Sequence, residues 1–301
     1  MIHPAVAIIT RTKDRTVLLR RAIESVLSQT FQDWIMVIVN DGGVRVPVDE
    51  LVEAQQDRFR GRSRVIHNET SLGMEAASNI GLKGSESRYV VIHDDDDSWH
   101  PMFLERCIGF LGTNAYPRIA GVITHTHRVL ERIKHDRVIV EGKEPFNTWC
   151  KSVTIYRMAA GNIFPPISFM YERRVLEQIG HYREDLPVLG DWEFNLRFMR
   201  RYDIFLIPEV LAFYHHRLDA TSGVFSNSVI GANDKHLIYD TLLRNELLRE
   251  DLDNNRIGIG YLTNISKSFE LLYGQLSSIT DVMDRLRRIQ WLKRLLKKGL
   301  R

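Results

Sequence analysis

Residues 89–101 read YVVIHDDDDSWHP, and this stretch limits what the chain can become more than any other. Tyr89, Val90, Val91 and Ile92 form a short continuous apolar run, the pattern of a strand buried on both faces. Four aspartates, Asp94 to Asp97, follow at its carboxyl end. Adjacent carboxylates beside a packed strand need a cation or strong donors to stay ionised. Oxygen-only ligands favour Mg²⁺ or Mn²⁺ over zinc, and such ions share their shell with water and substrate phosphates. The stretch is therefore a candidate metal and diphosphate site. A plainer reading is an acidic loop capping the next helix, with Asp97 or Ser98 at the N-cap and Pro101 in the first turn. One cap, however, needs one carboxylate rather than four.

Such a site needs a sheet that delivers it to a rim, and the preceding residues supply one. Ala5–Ile9 reads as a short strand, followed by a polar loop over Thr10–Asp14 and a helical pattern over Thr16–Gln29. Leu18, Leu19, Ala22, Ile23, Val26 and Leu27 share one face of that helix. Trp34–Val39 is the next strand and ends in Asn40, Asp41, Gly42 and Gly43. This β-α-β unit predicts parallel strands with a right-handed crossover. In open sheets of this kind ligands bind beyond the carboxyl ends of the strands, where Thr10, Thr12 and Asp41 fall. A helix over Leu51–Phe59, a strand over Arg64–His67 and a helix over Gly73–Leu82 precede the aspartate strand. The polar face of the last helix carries Glu75, Ser78 and Asn79. No GxGxxG follows the first strand and no GxxxxGK[ST] occurs, so neither a dinucleotide fold nor a phosphate-loop ATPase is indicated.

After the cluster the pattern predicts a helix over Met102–Leu111 and strands over Ala120–Thr124 and Val138–Val140. Pro145–Met170 is poorly periodic, and Pro165-Pro166 forbids a helix there, so it reads as a substrate-facing loop. A short helix over Arg174–Ile179 stops at Gly180, and another opens at Gly190 and runs to about Arg201. Asp191 and Glu193 fall near its start, where the helix dipole stabilises a carboxylate. Ile204–Ile207 and Val210–Tyr214 are extended, the second leading into His215, His216 and Arg217. Long helical patterns over Ala232–Arg249 and Ile257–Leu276 follow. With 301 residues, 44% of them hydrophobic, the chain holds one large domain and an appendage. A net charge of +3 is too mild to demand nucleic acid. The two cysteines, Cys107 and Cys150, give no disulfide framework and read as free thiols. No apolar run reaches the roughly 18 residues of a membrane span, and the expected location is cytoplasmic.

Six segments in order now carry a resemblance: AIITRTKDR, ESVLSQTFQDW, VNDGG, ASNIGL, HDDDDSWHP and GDWEFNLRF. Over about Ala5 to Ser222 the chain resembles the family 2 glycosyltransferases of the GT-A fold. The resemblance implies an α/β sandwich with a mostly parallel central sheet. The corresponding division is residues 1–225 as the transferase domain, split at 100/101 into nucleotide-sugar and acceptor halves, and 226–301 as a helical extension. It also implies residue roles. Thr10 and Thr12 border the nucleobase and ribose, Asp41 accepts a hydrogen bond from the base, and Asn79 lines the nucleotide pocket. Asn40 departs from the acidic residue common in the family at its position. Asp94 and Asp96 frame an Asp-x-Asp motif, with Asp96 the direct metal ligand, Asp94 near the ribose and Asp95 beside them. Asp191 is the general base, Trp192 and Glu193 line the acceptor side, and His215 or His216 completes the shell of Mn²⁺ or Mg²⁺.

The chemistry implied is inverting transfer of a sugar from a nucleoside-diphosphate donor, UDP or TDP type favoured. The acceptor is a hydroxyl of a cell-surface polysaccharide or lipid-linked oligosaccharide. A divalent ion neutralises the leaving diphosphate, and a carboxylate takes the proton of the attacking hydroxyl. Two rivals stay open: a sugar-1-phosphate nucleotidyltransferase, and a catalytically silent nucleotide-sugar-binding scaffold. The first normally carries a glycine-rich N-terminal loop, and Ile8–Asp14 has no glycine. From Asp284 to Arg301 the chain reads DRLRRIQWLKRLLKKGLR, eight basic residues against one acid. This basic amphipathic helix suits either the anionic inner face of a cell membrane or a protein surface.

Overall fold

The computed structural model describes residues 3–113, 115–134, 137–217 and 233–298, as backbone alone at 233, 278, 281–282 and 284–298. Its first half is the expected repeat of strand and helix. Strands β1 (Val6–Thr12), β2 (Trp34–Asp41), β3 (Ser63–Asn68) and β4 (Tyr89–Ile92) run parallel, in the order β3-β2-β1-β4. β1 is longer than the apolar run predicts. Thr10, Arg11 and Thr12 pair with Ile38, Val39 and Asn40, so the ladder satisfies their backbone despite polar side chains. The connecting helices are α1 (Thr16–Leu27), α2 (Val46–Glu53), α3 (Gln56–Phe59) and α4 (Met74–Lys83). α2 begins five residues before the expected Leu51 because Pro47 sits in its first turn, where its missing N–H is harmless.

Both faces of this sheet are covered, which explains the continuous apolar strands. One face sets Val6, Ile8, Met36 and Ile38 against Leu19, Ile23 and Val26 of α1. The other sets Ala7, Ile9, Val37 and Val39 against Ala77 and Leu82 of α4.

Beyond β4 the acidic stretch does not cap a helix. Ser98–Trp99 forms a two-residue strand, β5, and α5 (Phe103–Gly112) starts four residues later with no side-chain cap. The sheet continues through β6 (Ile119–Lys134), β7 (Arg137–Pro145), β8 (Phe169–Glu172) and β9 (Asp203–Arg217). Its full order is β3-β2-β1-β4-β8-β6-β9-β5, with β7 paired to the outer part of β6. The two short segments expected after residue 203 are one strand whose register against β6 slips near His125, opposite Pro208. A proline cannot donate to the ladder, so the slip lets the strand continue past it. Short helices α6 (Ile155–Ala160) and α7 (Leu176–Ile179) precede α8 (Gly190–Met199).

The C-terminal helices α9 (Asn233–Asp253) and α10 (Ile259–Lys298) are docked on this body. Buried Arg244 donates to the carbonyls of Ala159 (3.0 Å), Ala160 (2.8 Å) and Thr263 (2.7 Å), and its guanidinium lies 4.6 Å from the ring of Trp192. Asp251 Oδ2 accepts from the N–H groups of Gly258 (3.1 Å) and Tyr261 (2.7 Å), which turns the chain into α10. The expected 225/226 boundary lies outside the described residues.

Candidate active site

The carboxyl ends of β1, β2 and β4 open into a cleft of about 310 Å³ lined by Thr12, Lys13, Arg15, Asp41, Ser71, Gly73, Asp94 and Asp96, among others. Asp41 forms one wall, and its carboxylate is fully engaged. Oδ1 accepts from Asn68 (2.8 Å) and Leu72 N (2.9 Å), and Oδ2 from Ser71 (2.8 Å) and Gly73 N (3.0 Å). Burial raises its pKa, but these four donors outweigh burial and hold the carboxyl below its ordinary range. Its structural effect is to fold the 68–73 loop against the cleft. Thr10 is fully buried with its hydroxyl unpartnered, whereas Thr12 reaches the cleft. Asn79 does not line the cleft. It donates to Tyr182 O (2.8 Å) and Glu184 (2.8 Å), tying α4 to the loop before α8.

The aspartate cluster meets its demand for positive charge with arginines. Arg11 bonds Asp94 through Nε (2.9 Å) and Nη2. Arg15 Nη2 lies 2.6 Å from Asp95 Oδ1, and its Nη1 is 3.4 Å from Asp96. Arg217 donates to Asp96 and to Glu131 (2.9 Å), and Arg21 donates to the Asp96 carbonyl and to Glu131 (2.6 Å). Asp97 accepts from the N–H of His215 at 2.9 Å. Asp95, Asp96 and Asp97 are thereby driven apart. Burial raises Asp96, yet Arg15 and Arg217 outweigh it and bring the pKa to about 2. Burial dominates at Asp95, raised to about 6 despite Arg15, and at Asp97, raised well above its ordinary value.

Asp94 and Asp96 each keep one carboxylate oxygen, Oδ2 and Oδ1, without a hydrogen bond among the described residues, and both residues line the cleft. No group of three or more His, Cys, Asp or Glu side chains among the described residues forms a metal cage. Two free hard-oxygen donors beside an open cleft fit an ion of the Mg²⁺ or Mn²⁺ type that takes its remaining ligands from water and a diphosphate. The histidine doublet divides between the two faces of β9. His215 has both ring nitrogens engaged, Nδ1 with Glu131 (2.7 Å) and Nε2 with Ser98 (2.8 Å), which speaks against it as a metal ligand. His216 Nε2 is buried without a partner. Burial first, then Arg128, lowers its pKa to about 4, so the ring is neutral.

A second pocket shares Arg11, Met74, Asp94 and Tyr214 with the first. It adds Asp191, Glu75, Asn162, His216 and Arg128, with Phe146, Phe164, Pro165 and Pro166 from the segment expected to face substrate. Asp191 lies in the first turn of α8, accepting from Asn162 Nδ2 (2.7 Å) and from Trp192 N (2.8 Å). Burial is the largest influence and raises its pKa, with the Trp192 N–H and Arg11 pulling the other way. The helix start is unusual. Leu189 has φ of 66°, in the left-handed region, and a Cβ on Gly190 would stand 2.5 Å from Glu75 Cγ and Cδ. Glycine at 190 therefore lets the buried Glu75 carboxyl sit beneath Asp191. Burial, reinforced by Asp191, Asp94 and Glu193 and opposed by Arg11, raises Glu75 to about 8.

Trp192 and Glu193 do not face this pocket. Trp192 is 1% exposed with its Nε1 on Met158 O (2.6 Å), and Glu193 pairs with Arg197 (2.6 Å) on the same helix. Each residue along a helix turns by about 100°, so two residues beside a pocket-facing one point into the core or along the helix. The sequence reading missed Arg11, Arg15, Arg21, Arg217, Glu131 and Asn162. Two local signals pointed to them: the alternation of Arg11 with Thr10 and Thr12 at the end of β1, and the position of Arg217 after the histidines.

The family profile described as "Glycosyl transferase family 2" matches residues 7–180. The chain belongs to that family. It is thereby an enzyme of the glycosyltransferase class. Among family relatives, an uncharacterised glycosyltransferase of Haemophilus influenzae is 23% identical over 74% of this chain and 69% of its own length. TuaG of Bacillus subtilis, a glycosyltransferase named for teichuronic acid biosynthesis, is 31% identical over 36% of this chain and 42% of its own. The fold matches S. aureus TarS 1-349 in complex with UDP-GlcNAc, with a TM-score of 0.53 and 18% identity, over 71% of this chain and 59% of that one. It also matches mannosyltransferase PcManGT from Pyrobaculum calidifontis in complex with GDP-Man and Mn²⁺, with a TM-score of 0.53 and 18% identity, over 71% and 57%. The match thus spans under three fifths of each solved chain, and it confirms the GT-A type fold. No described helix is long and apolar enough to cross a membrane.

Proposed function

We propose that this family member moves a sugar from a nucleoside-diphosphate donor to an acceptor hydroxyl by a single inverting displacement, with Asp191 as the general base. One observation carries the reading: the cleft holding Asp94 and Asp96 and the pocket holding Asp191 share a wall at Arg11, Asp94 and Tyr214. A donor with its diphosphate in the cleft presents its sugar at that junction. An acceptor hydroxyl in the second pocket approaches from the opposite side. The Asp191 carboxylate takes the hydroxyl proton as the new glycosidic bond forms and the bond to diphosphate breaks. Its raised pKa suits a base that must hold a proton briefly, and Asn162 fixes the orientation of the carboxylate.

Asp94 and Asp96 would hold Mg²⁺ or Mn²⁺, which when bound supplies positive charge to the departing diphosphate. Lys13 and Arg15 line the same cleft and add fixed positive charge. Solved relatives of the fold bind UDP-GlcNAc and GDP-Man, the latter with Mn²⁺, which supports a nucleotide-sugar donor. We retain UDP or TDP as the favoured type and a cell-surface polysaccharide or lipid-linked oligosaccharide as the acceptor. A relative named for teichuronic acid biosynthesis supports that class. Residues 1–225 are the proposed transferase domain and 226–301 its helical extension. The basic sequence from 284 to 301 is proposed to touch anionic lipid at the inner face of the membrane. Residues 299–301 lie outside the described residues, as do all side chains from 284 onward.

The test is calorimetric titration with UDP, TDP, GDP, CDP and ADP, each with and without Mn²⁺. Metal-dependent binding of one or two supports the reading. Binding of none, with an intact fold, ends it.

A further inference from the structure

Outside the active site, α10 carries an apolar stripe that the body leaves uncovered. The body-facing side of its first turns is formed by Ile259, Gly260, Thr263 and Ser266, all buried. A different side carries Leu262, Ile265, Phe269, Leu272, Leu276, Ile279 and Met283, spaced alternately by three and four. Leu262 and Ile265 are half-buried at the edge of the body, and from Ser268 onward the described side chains of the helix are exposed. Phe269 is 57% exposed, Leu272 53%, Leu276 61% and Ile279 60%.

Two features say what covers this stripe. Strict three-four spacing places two apolar residues in each seven on a narrow seam, the pattern that meshes with a helix of the same kind. A helix meant for a lipid surface needs a broader apolar face edged by lysine and arginine. Residues 268–283 contain Glu270 and Asp281 and no lysine or arginine, so an anionic bilayer would repel them. Size agrees as well. Five seam side chains with Tyr273 at their edge, 75% exposed, amount to roughly 650 Å² of bare surface, approaching the ~800 Å² per partner of a standard interface. That is more than most monomers leave uncovered. Gly274 in this stretch disfavours the helix by about 1 kcal/mol, and an unaccompanied helix has no packing to offset it.

We propose that copies of this chain associate with one another through the α10 seam from Phe269 to Met283, in a coiled coil that stands clear of the active site. Leu, Phe and Met at one seam position and Ile or Leu at the other favour more than two strands if the helices run parallel. The inference does not depend on the transferase reading.

Light scattering on the full chain, over a wide concentration range, should give at least twice the monomer mass of 35.0 kDa. The double variant Leu272→Glu, Leu276→Glu should fall to the monomer mass while binding nucleoside diphosphates as the parent does. Leu276→Cys, oxidised, should cross-link between copies, since Cys107 and Cys150 are buried. A parent chain that stays at 35.0 kDa throughout overturns the proposal. So does a double variant that remains oligomeric, or a monomeric parent that binds anionic vesicles through residues changed in that variant.

Discussion

The aspartate cluster and Asp191 are both carboxylate sites at the same rim, but their charge is held in opposite ways. Asp94 and Asp96 face guanidinium groups from Arg11, Arg15 and Arg217, and Asp96 is held near pKa 2. Asp191 faces one side-chain amide and one backbone N–H, neither carrying formal charge, and its pKa is raised. Ion pairing keeps Asp96 of the first site anionic far below neutral pH, as a charged binding site requires. Neutral donors leave the second able to accept a proton. The difference is one of partners rather than of residue type.

The largest effect should come from removing the proton acceptor. Asp191→Asn is expected to lower turnover by about 10² to 10⁴ while donor binding stays within a few-fold of the parent. Turnover assays beside calorimetry check this, and near-normal turnover would dismiss Asp191 as the base. Asp96→Ala should act on stability as well as binding. It strips Arg217, 1% exposed, of one of the two carboxylates it pairs with among the described residues, which for a broken buried pair costs about 3–5 kcal/mol. Urea unfolding would show the loss, and a variant as stable as the parent would mean that Arg217 is not held as described.

A smaller effect separates the sites by pH. Unfolded, Glu75 titrates near its ordinary 4.5, and folded near 8. Between those values the unfolded chain has released a proton that the folded chain keeps, so stability falls as pH rises through this window. Glu75→Gln should raise the melting temperature at pH 8 relative to the parent and leave it little changed near pH 4. An unchanged pH dependence would show that the carboxyl is already ionised. The smallest effect is expected at Asp41→Asn. An amide cannot accept from all four donors of the 68–73 loop, so a loss of about 1–2 kcal/mol in stability is expected, with weaker nucleotide binding.

Much of this was legible beforehand because it is local. The apolar run Tyr89–Ile92, the face of α1 and the parallel order of the first strands follow from periodicity within a few residues. The placement of Asp41 and Asp94 at one rim follows from counting strand ends, whereas Asp191, in the first turn of α8, was placed there only by the family resemblance. Boundaries were less so: β1 runs three residues further than its apolar core, since ladder pairing rather than side-chain polarity decides where a strand stops.

What the amino-acid order by itself determined is the alternation of strand and helix, the family, and the demand of four adjacent carboxylates for positive charge. What answers that demand was decided by tertiary structure. Arg15 and Arg217 stand 80 and 121 residues from the aspartates they pair with. Tertiary structure also turned His215 toward Glu131 and buried Trp192 in the core while leaving Asp191 open to a pocket. The physical reason is common to all of these. Periodicity shows which side of an element a residue occupies, but a charge or a ring nitrogen takes its role from whatever the fold brings within about 3 Å of it.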